Sequence, residues 1–139
     1  MMRITQKYLQ MSAPQVARMS VLYHEAKHTE ENPILKEGDP DLRFWLHAYC
    51  PTPFFDEFNQ ERMSIWTGLP LSGKDGCDIT PVGAYGTVVI MLKNIENYAT
   101  PETANEKVKA DAALYARDQL TRIIDAKAHE DLVKDIANQ

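Results

Sequence analysis

Proline limits the shapes open to this chain more than any other residue. The eight prolines include Pro14, Pro33, Pro40, Pro51, Pro53, Pro70, Pro81 and Pro101. Each forbids a helix interior at its own position and disfavours helical backbone at the residue before it. The first hundred residues are thereby cut into short pieces, and only the stretch after Pro101 runs on without a break. Ser12-Ala13-Pro14-Gln15 reads as a helix start, with Ser12 as N-cap, Pro14 in the first turn and Gln15 closing a capping box. That helix is expected to reach about Glu31, because Pro33 pushes Asn32 out of the helical region. Asp39-Pro40 opens a short second helix through Leu42, Trp45, Leu46 and Tyr49, ended by Pro51. Thr52-Pro53 opens a third, with Asp56 and Glu57 near the positive end of its dipole, and Gly68 with Pro70 stops it.

Leu71 to Pro81 has the Gly, Ser, Asp and Pro content of an exposed loop. Residues 84–93 follow, where Tyr85, Thr87, Val88, Val89 and Ile90 supply the β-branched and aromatic content of a strand. A lone strand leaves its edges unsatisfied, so a partner is required, either residues 2–9 or another chain. From Thr100-Pro101 a helical stripe runs through Val108, Ala112, Tyr115, Ala116, Leu120, Ile123 and Ile124, with Leu132, Val133 and Ile136 nearly opposite. A globule of this size is about 37 Å across, whereas an unbroken helix over 101–137 spans about 55 Å. A break between Lys127 and Asp131 is expected; the competing arrangement is a straight helix whose end packs on another subunit. The fold class is therefore α+β, mainly helical, with a short sheet around 84–93 packed against a long C-terminal helix, in a single domain over 1–139.

Composition narrows the function. Apolar residues at 44% and charged residues at 25% suit one globular core and exclude disorder along the whole chain. The longest apolar run, Val88 to Leu92, falls far short of the roughly 20 residues that cross a bilayer. The first ten residues lack the apolar core of a secretion signal, so a cytoplasmic protein is expected. A net charge of −5 with scattered basic residues argues against nucleic acid, whose phosphates demand clustered Lys and Arg. Two cysteines, Cys50 and Cys77, do not make a disulfide framework.

His24-Glu25-Ala26-Lys27-His28 matches H-E-x-x-H. One helical turn separates the imidazoles, so both reach a single Zn²⁺, with Glu25 placed to activate its water. The string resembles the zincin metallopeptidase motif over these five residues. That resemblance implies His24 and His28 as ligands and Glu25 as general base. The helix bearing it takes its apolar face from Val16, Met19, Leu22, Tyr23 and Ala26. His24 and His28 project about 160° from the centre of that face, towards solvent. A different metal arrangement follows from His47-Ala48-Tyr49-Cys50. Added to His24 and His28, His47 and Cys50 complete a tetrahedral His₃Cys set of the closed, structural kind. The alternative for His47 and Cys50 is burial beside Trp45 and Phe54, as small-core neighbours. Gly68 to Lys74 follows the P-loop spacing G-x-x-x-x-G-K, but Asp75 stands where Mg²⁺ needs Ser or Thr, which rejects nucleotide binding. Asp75 to Asp78 lacks the ligand spacing of an EF-hand.

The stretch 44–66 holds more large rings than two short helices need. Trp45, Tyr49, Phe54, Phe55 and Trp66 are candidate contacts for a protein partner, since such rings are enriched at binding hot spots. The leading expectation is a non-enzymatic binding or assembly protein with no cofactor, acting on a protein partner or by self-association, of the kind found as accessory or structural proteins of viruses and mobile elements. The alternatives are a zinc-dependent hydrolase using the H-E-x-x-H string and a zinc-stapled binding domain.

Overall fold

A computed structural model describes residues 13–30 and 47–138. Among the described residues are four helices: α1 (Gln15–His28), α2 (Ala84–Tyr98), α3 (Glu106–Thr121) and α4 (Ala126–Ala137). Between α1 and α2, residues 47–83 are irregular, and their β-type pairing is confined to isolated bridges. None of the helices is long and apolar enough to cross a membrane.

The chain is mainly helical, as expected, but residues 84–93 are helix rather than strand. Tyr85, Val88, Val89 and Leu92 are all buried and fall at i, i+3, i+4 and i+7, the spacing of one helical face. Ile90, which a strand would set beside Val88 and Leu92, is exposed. The β-branched run is thus the buried stripe of a core helix, where packing overrides local propensity. No strand edge is left to satisfy in this segment, and the proposed partner, residues 2–9, lies outside the described residues. Gly86 is needed where it stands. A Cβ there would lie 1.7 Å from the Pro81 carbonyl oxygen, so the loop before α2 doubles back against its first turn.

The main core forms where α2 and α3 pack together and α1 lies across both. Ala112 and Ala116 keep α3 close to Val88 and Leu92 of α2, and α1 contributes Val16 and Ala17. Full burial of each Val or Leu is worth about 1.5–3 kcal/mol. Tyr85 and Val89 meet Ile123 and Leu132 in a second cluster that seats α4.

The C-terminal region does break, but earlier than predicted. Ile123 and Asp78 pair in parallel: the Asp78 amide donates to the Arg122 carbonyl and the Ile124 amide to the Asp78 carbonyl. Asp125 then caps α4 by accepting from the Ala128 amide at 2.8 Å. Residues 122–125 are claimed by this loop, so neither a break at 127–131 nor a single straight helix is formed.

The two helices expected over 40–68 are corrected in part. Residues 40–46 lie outside the described residues. Residues 47–50 are extended, with Ala48 bridged to Cys77. In 52–68, Asp56 Oδ1 accepts from the amides of Phe58 and Gln60, both at 2.9 Å. Its carboxylate closes a turn instead of starting a helix, the usual competition between an Asp side chain and helical backbone. The predicted exposed loop 71–81 is also half wrong, because Leu71, Gly76, Cys77 and Asp78 are buried.

Candidate metal centre

Helix α1 begins at Pro14, which occupies its cap position. Its buried residues are Val16, Ala17 and Ser20. At 100° per residue, His24 and His28 come back to within about 20° of Ala17. They continue the inward stripe, and Tyr23, counted on the expected apolar face, is 51% exposed. The prediction that both histidines face solvent is therefore overturned. The inner face of α1 near the site is made of small and polar residues, and apolar content alone pointed to the wrong side.

Three imidazoles converge. His24 Nε2 lies 2.8 Å from His47 Nε2 and 3.2 Å from His28 Nε2, and His28 Nε2 lies 3.0 Å from His47 Nε2. The point equidistant from these atoms in their plane is about 1.7 Å from each, so a small outward shift gives the 2.0–2.1 Å of a Zn–N bond. Protons cannot satisfy this triangle. Each nitrogen is either a donor or an acceptor, so with three atoms and two roles, at least one contact sets like against like. One cation facing three lone pairs removes the conflict. The donor set also suits the metal, since neutral imidazole is a common ligand of zinc.

The third imidazole is held by devices that a sequence motif does not show. His47 Nδ1 donates to Asp78 Oδ1 at 2.8 Å, which leaves the His47 Nε2 lone pair for a metal. This is the carboxylate–histidine arrangement that orients ligands and raises their basicity. Asp78 is 5% exposed, and its other oxygen accepts from the Tyr85 amide in the first turn of α2 at 3.1 Å, where the helix dipole favours negative charge. Gly83 makes room for it, because a Cβ there would lie 2.6 Å from Asp78 Oδ2. Next to both residues, Cys50 and Cys77 form a disulfide with Cα atoms 5.1 Å apart, the separation such a bond requires. The Ala48 amide donates to the Cys77 carbonyl and the Cys77 amide to the Ala48 carbonyl. His47 and Asp78 are thus stapled through their neighbours.

The walls around the triad are aromatic and charged. The Tyr85 ring stacks on His47, with centroids 4.6 Å apart, and lies 4.8 Å from His24. Burial, with the fields of His47, His28 and Arg122, lowers the His24 pKa from 6.5 to about 3. His24 therefore keeps its lone pair at neutral pH. Burial likewise pushes the Tyr85 hydroxyl up to about 12, against the opposing pull of Arg122. Arg122 is buried and donates to Asp118, Ser64, the Gly76 carbonyl and the Tyr85 hydroxyl. A cleft of about 180 Å³ opens beside His24, lined in part by Glu25, Trp66, Tyr85, Gln119 and Arg122. Glu25 is exposed at this cleft, while Lys27 of the same motif engages Glu30 in an ion pair.

Of the residues singled out from sequence, His24, Glu25, His28 and His47 are brought to one place. Cys50 is not a ligand. Its sulfur is bonded to Cys77, so the closed His₃Cys set is excluded. The proposed partner-contact rings differ in exposure. Tyr49 and Phe55 are exposed, Phe54 packs beside the disulfide, and Trp66 is half-buried against Tyr115; Trp45 lies outside the described residues. Asp78, Tyr85 and Arg122 were missed, since nothing in their local sequence marks them. Comparison with protein-family models, with curated proteins and with solved structures returns no match.

Proposed function

We propose that this chain is a zinc-dependent hydrolase in which His24, His28 and His47 hold the metal through Nε2 and Glu25 is the general base. The convergence of three Nε2 atoms within 3.2 Å of one another carries the reading. Among the described residues no fourth Cys, His, Asp or Glu joins the triad, and three protein ligands with an open position are the catalytic pattern rather than the structural one. When bound, Zn²⁺ supplies Lewis acidity and lowers the pKa of a coordinated water towards 7. Asp78 fixes the His47 tautomer and Tyr85 packs the rings of His24 and His47. Glu25, next to a ligand and open to the cleft, accepts the proton of the attacking water and returns it to the leaving group. The Cys50–Cys77 bond favours an oxidising compartment over the cytoplasm expected from sequence, because cytosolic thiols are kept reduced.

Metal content of protein purified without a histidine tag tests the centre. One zinc per chain is expected, lost in His24→Ala, His28→Ala and His47→Ala, and no bound zinc in the parent protein would refute it. Glu25→Gln should keep the zinc and lose turnover of a panel of ester, amide and phosphoester reporters. Turnover that survives this change removes Glu25 from the chemistry.

A second reading, the protein-contact role, is favoured by the exposure of Tyr49 at 72% and Phe58 at 76%. Such rings bind well only if a partner covers them. Sedimentation of the parent protein as a strict monomer at high concentration would count against self-association.

A further inference from the structure

The cleft beside the metal centre carries an unspent set of buried polar groups. Gln119 is 3% exposed and Ser20 is 2% exposed, and both line it. Gln119 Nε2 donates to Asp118 Oδ2 at 3.0 Å. A carboxylate only accepts, so the amide cannot be turned round. Gln119 Oε1 is then left as an acceptor with no hydrogen-bond partner among the described residues, on a residue that lines the open cleft, where a ligand can meet it. Ser20 Oγ donates to the Ala17 carbonyl at 2.7 Å, which leaves its own lone pairs to accept. The Tyr85 hydroxyl takes a hydrogen bond from Arg122 Nη1 at 3.3 Å, so its proton remains for donation. Trp66 forms a flat apolar wall.

We propose that this cleft is the specificity pocket of the metal centre and that it takes an uncharged carboxamide side chain, with Gln119 as the residue that selects it. The inference rests on the metal reading above. A carboxamide offers N–H groups to Gln119 Oε1 and Ser20 Oγ and a carbonyl to the Tyr85 hydroxyl. A carboxylate has no proton to give and would set its oxygens against Gln119 Oε1. An ammonium has no acceptor for the Tyr85 proton, and the Arg122 guanidinium and the metal's own charge oppose it; among the described residues Glu25 is the one carboxylate that lines the cleft. An alkyl chain leaves every one of these groups unmet, the situation in which a site built for hydrogen bonding rejects an apolar isostere most strongly.

The test uses amino acid hydroxamates, whose chelating head binds zinc so that affinity reports the side chain. Asparagine, glutamine, glutamate, lysine and norleucine hydroxamates are titrated calorimetrically into the zinc-loaded full chain. One of the two carboxamide compounds should bind at least about tenfold more tightly than the glutamate, lysine and norleucine compounds. That margin corresponds to about 1.4 kcal/mol, the scale of one net hydrogen bond. Gln119→Leu should weaken that compound by about tenfold and leave norleucine unchanged. A flat series, a preference for glutamate or lysine, or a carboxamide affinity that Gln119→Leu leaves unchanged overturns the assignment. Should Gln119→Leu not fold, the series on the parent protein decides alone. Protein that takes up no zinc removes the metal centre and the pocket with it; zinc-loaded protein with a flat series removes only the pocket.

Discussion

Replacing Asp78 by Asn separates a metal-tuning carboxylate from a merely structural one, because the change keeps shape and removes one acceptor. In the parent protein each carboxylate oxygen has its own donor: His47 Nδ1 at 2.8 Å and the Tyr85 amide at 3.1 Å. An amide has one oxygen and one NH₂ group, so it can serve only one of them as acceptor. The backbone donor of Tyr85 is fixed and cannot change role. If the oxygen faces it, the NH₂ faces His47 Nδ1, which must then become the acceptor. The His47 proton moves to Nε2, the atom that would bind zinc, and metal binding has to reverse that tautomer. If instead the oxygen faces His47, a backbone donor at the start of α2 meets an NH₂ group in a buried place.

Either orientation loses one charge-assisted hydrogen bond, worth about 1.5–3 kcal/mol. Borne by the metal-bound state, that is a factor of about 10–100 in zinc affinity, the range typical of such partners. Zinc affinity is read by competition with a chromophoric chelator, with circular dichroism and melting of the metal-free protein as controls. Asp78→Glu, which keeps the charge but not the reach, should fall between the two. Zinc affinity within twofold of the parent in a folded Asp78→Asn protein would refute the reasoning, since His47 would then need no partner to present its lone pair.

Other perturbations have definite signs. Cys50 and Cys77 are 27 residues apart, and a loop of that length gives a bond worth on the order of 3–4 kcal/mol through the unfolded chain; the Cys50→Ser, Cys77→Ser double variant, or reduction by a dithiol, should lower both the melting temperature and zinc affinity. In metal-free protein His24 titrates near 3 when folded, against 6.5 ordinarily, so between these values the unfolded chain binds a proton that the native one refuses. Stability from this group is whole above pH 6.5 and is lost as pH falls towards 3; urea midpoints that stay level across that window in the parent but slope in His24→Gln would contradict this. Gly86→Ala places a Cβ 1.7 Å from the Pro81 carbonyl oxygen, and a cost of roughly 3 kcal/mol or more is expected from forced backbone movement, measurable by chemical denaturation.

How much of this was legible depended on whether the signal was local. The H-E-x-x-H spacing singled out His24, Glu25 and His28, because a helix fixes what lies one turn apart. The depth of that helix was not legible. Val16, Met19, Leu22, Tyr23 and Ala26 outline a plausible core face, yet the inward face runs through Ala17, Ser20, His24 and His28, and the histidines meet His47, 19 and 23 residues on, and Tyr85, farther still. Residues 84–93 were misread for a related reason. Thr87, Val88, Val89 and Ile90 favour a strand taken alone, and only the i, i+3, i+4, i+7 positions of Tyr85, Val88, Val89 and Leu92 betray the helix. Cys50 drew attention as a ligand because it stands three residues from His47, when its actual partner, Cys77, is set by a bridge between two irregular segments.

The uneven way in which the three imidazoles are held follows from where they sit. His24 and His28 share one helix, so hydrogen bonds along α1 set their spacing without further help. His47 belongs to a segment with no regular structure, and nothing local fixes where its ring lies or which nitrogen carries the proton. Each of those freedoms is removed from outside. The Ala48–Cys77 bridge and the disulfide fix the backbone, Tyr85 fixes the ring plane by stacking, and Asp78 fixes the proton. Asp78 is in turn held by the start of α2 and by the loop that separates α3 from α4, so the His47 ring is referred to the same helices that carry the core. Damage to this chain of contacts should therefore reach metal affinity before it reaches helix content. A mere cluster of buried histidines predicts the opposite order, because ring contacts of that kind would fail only when the helices do.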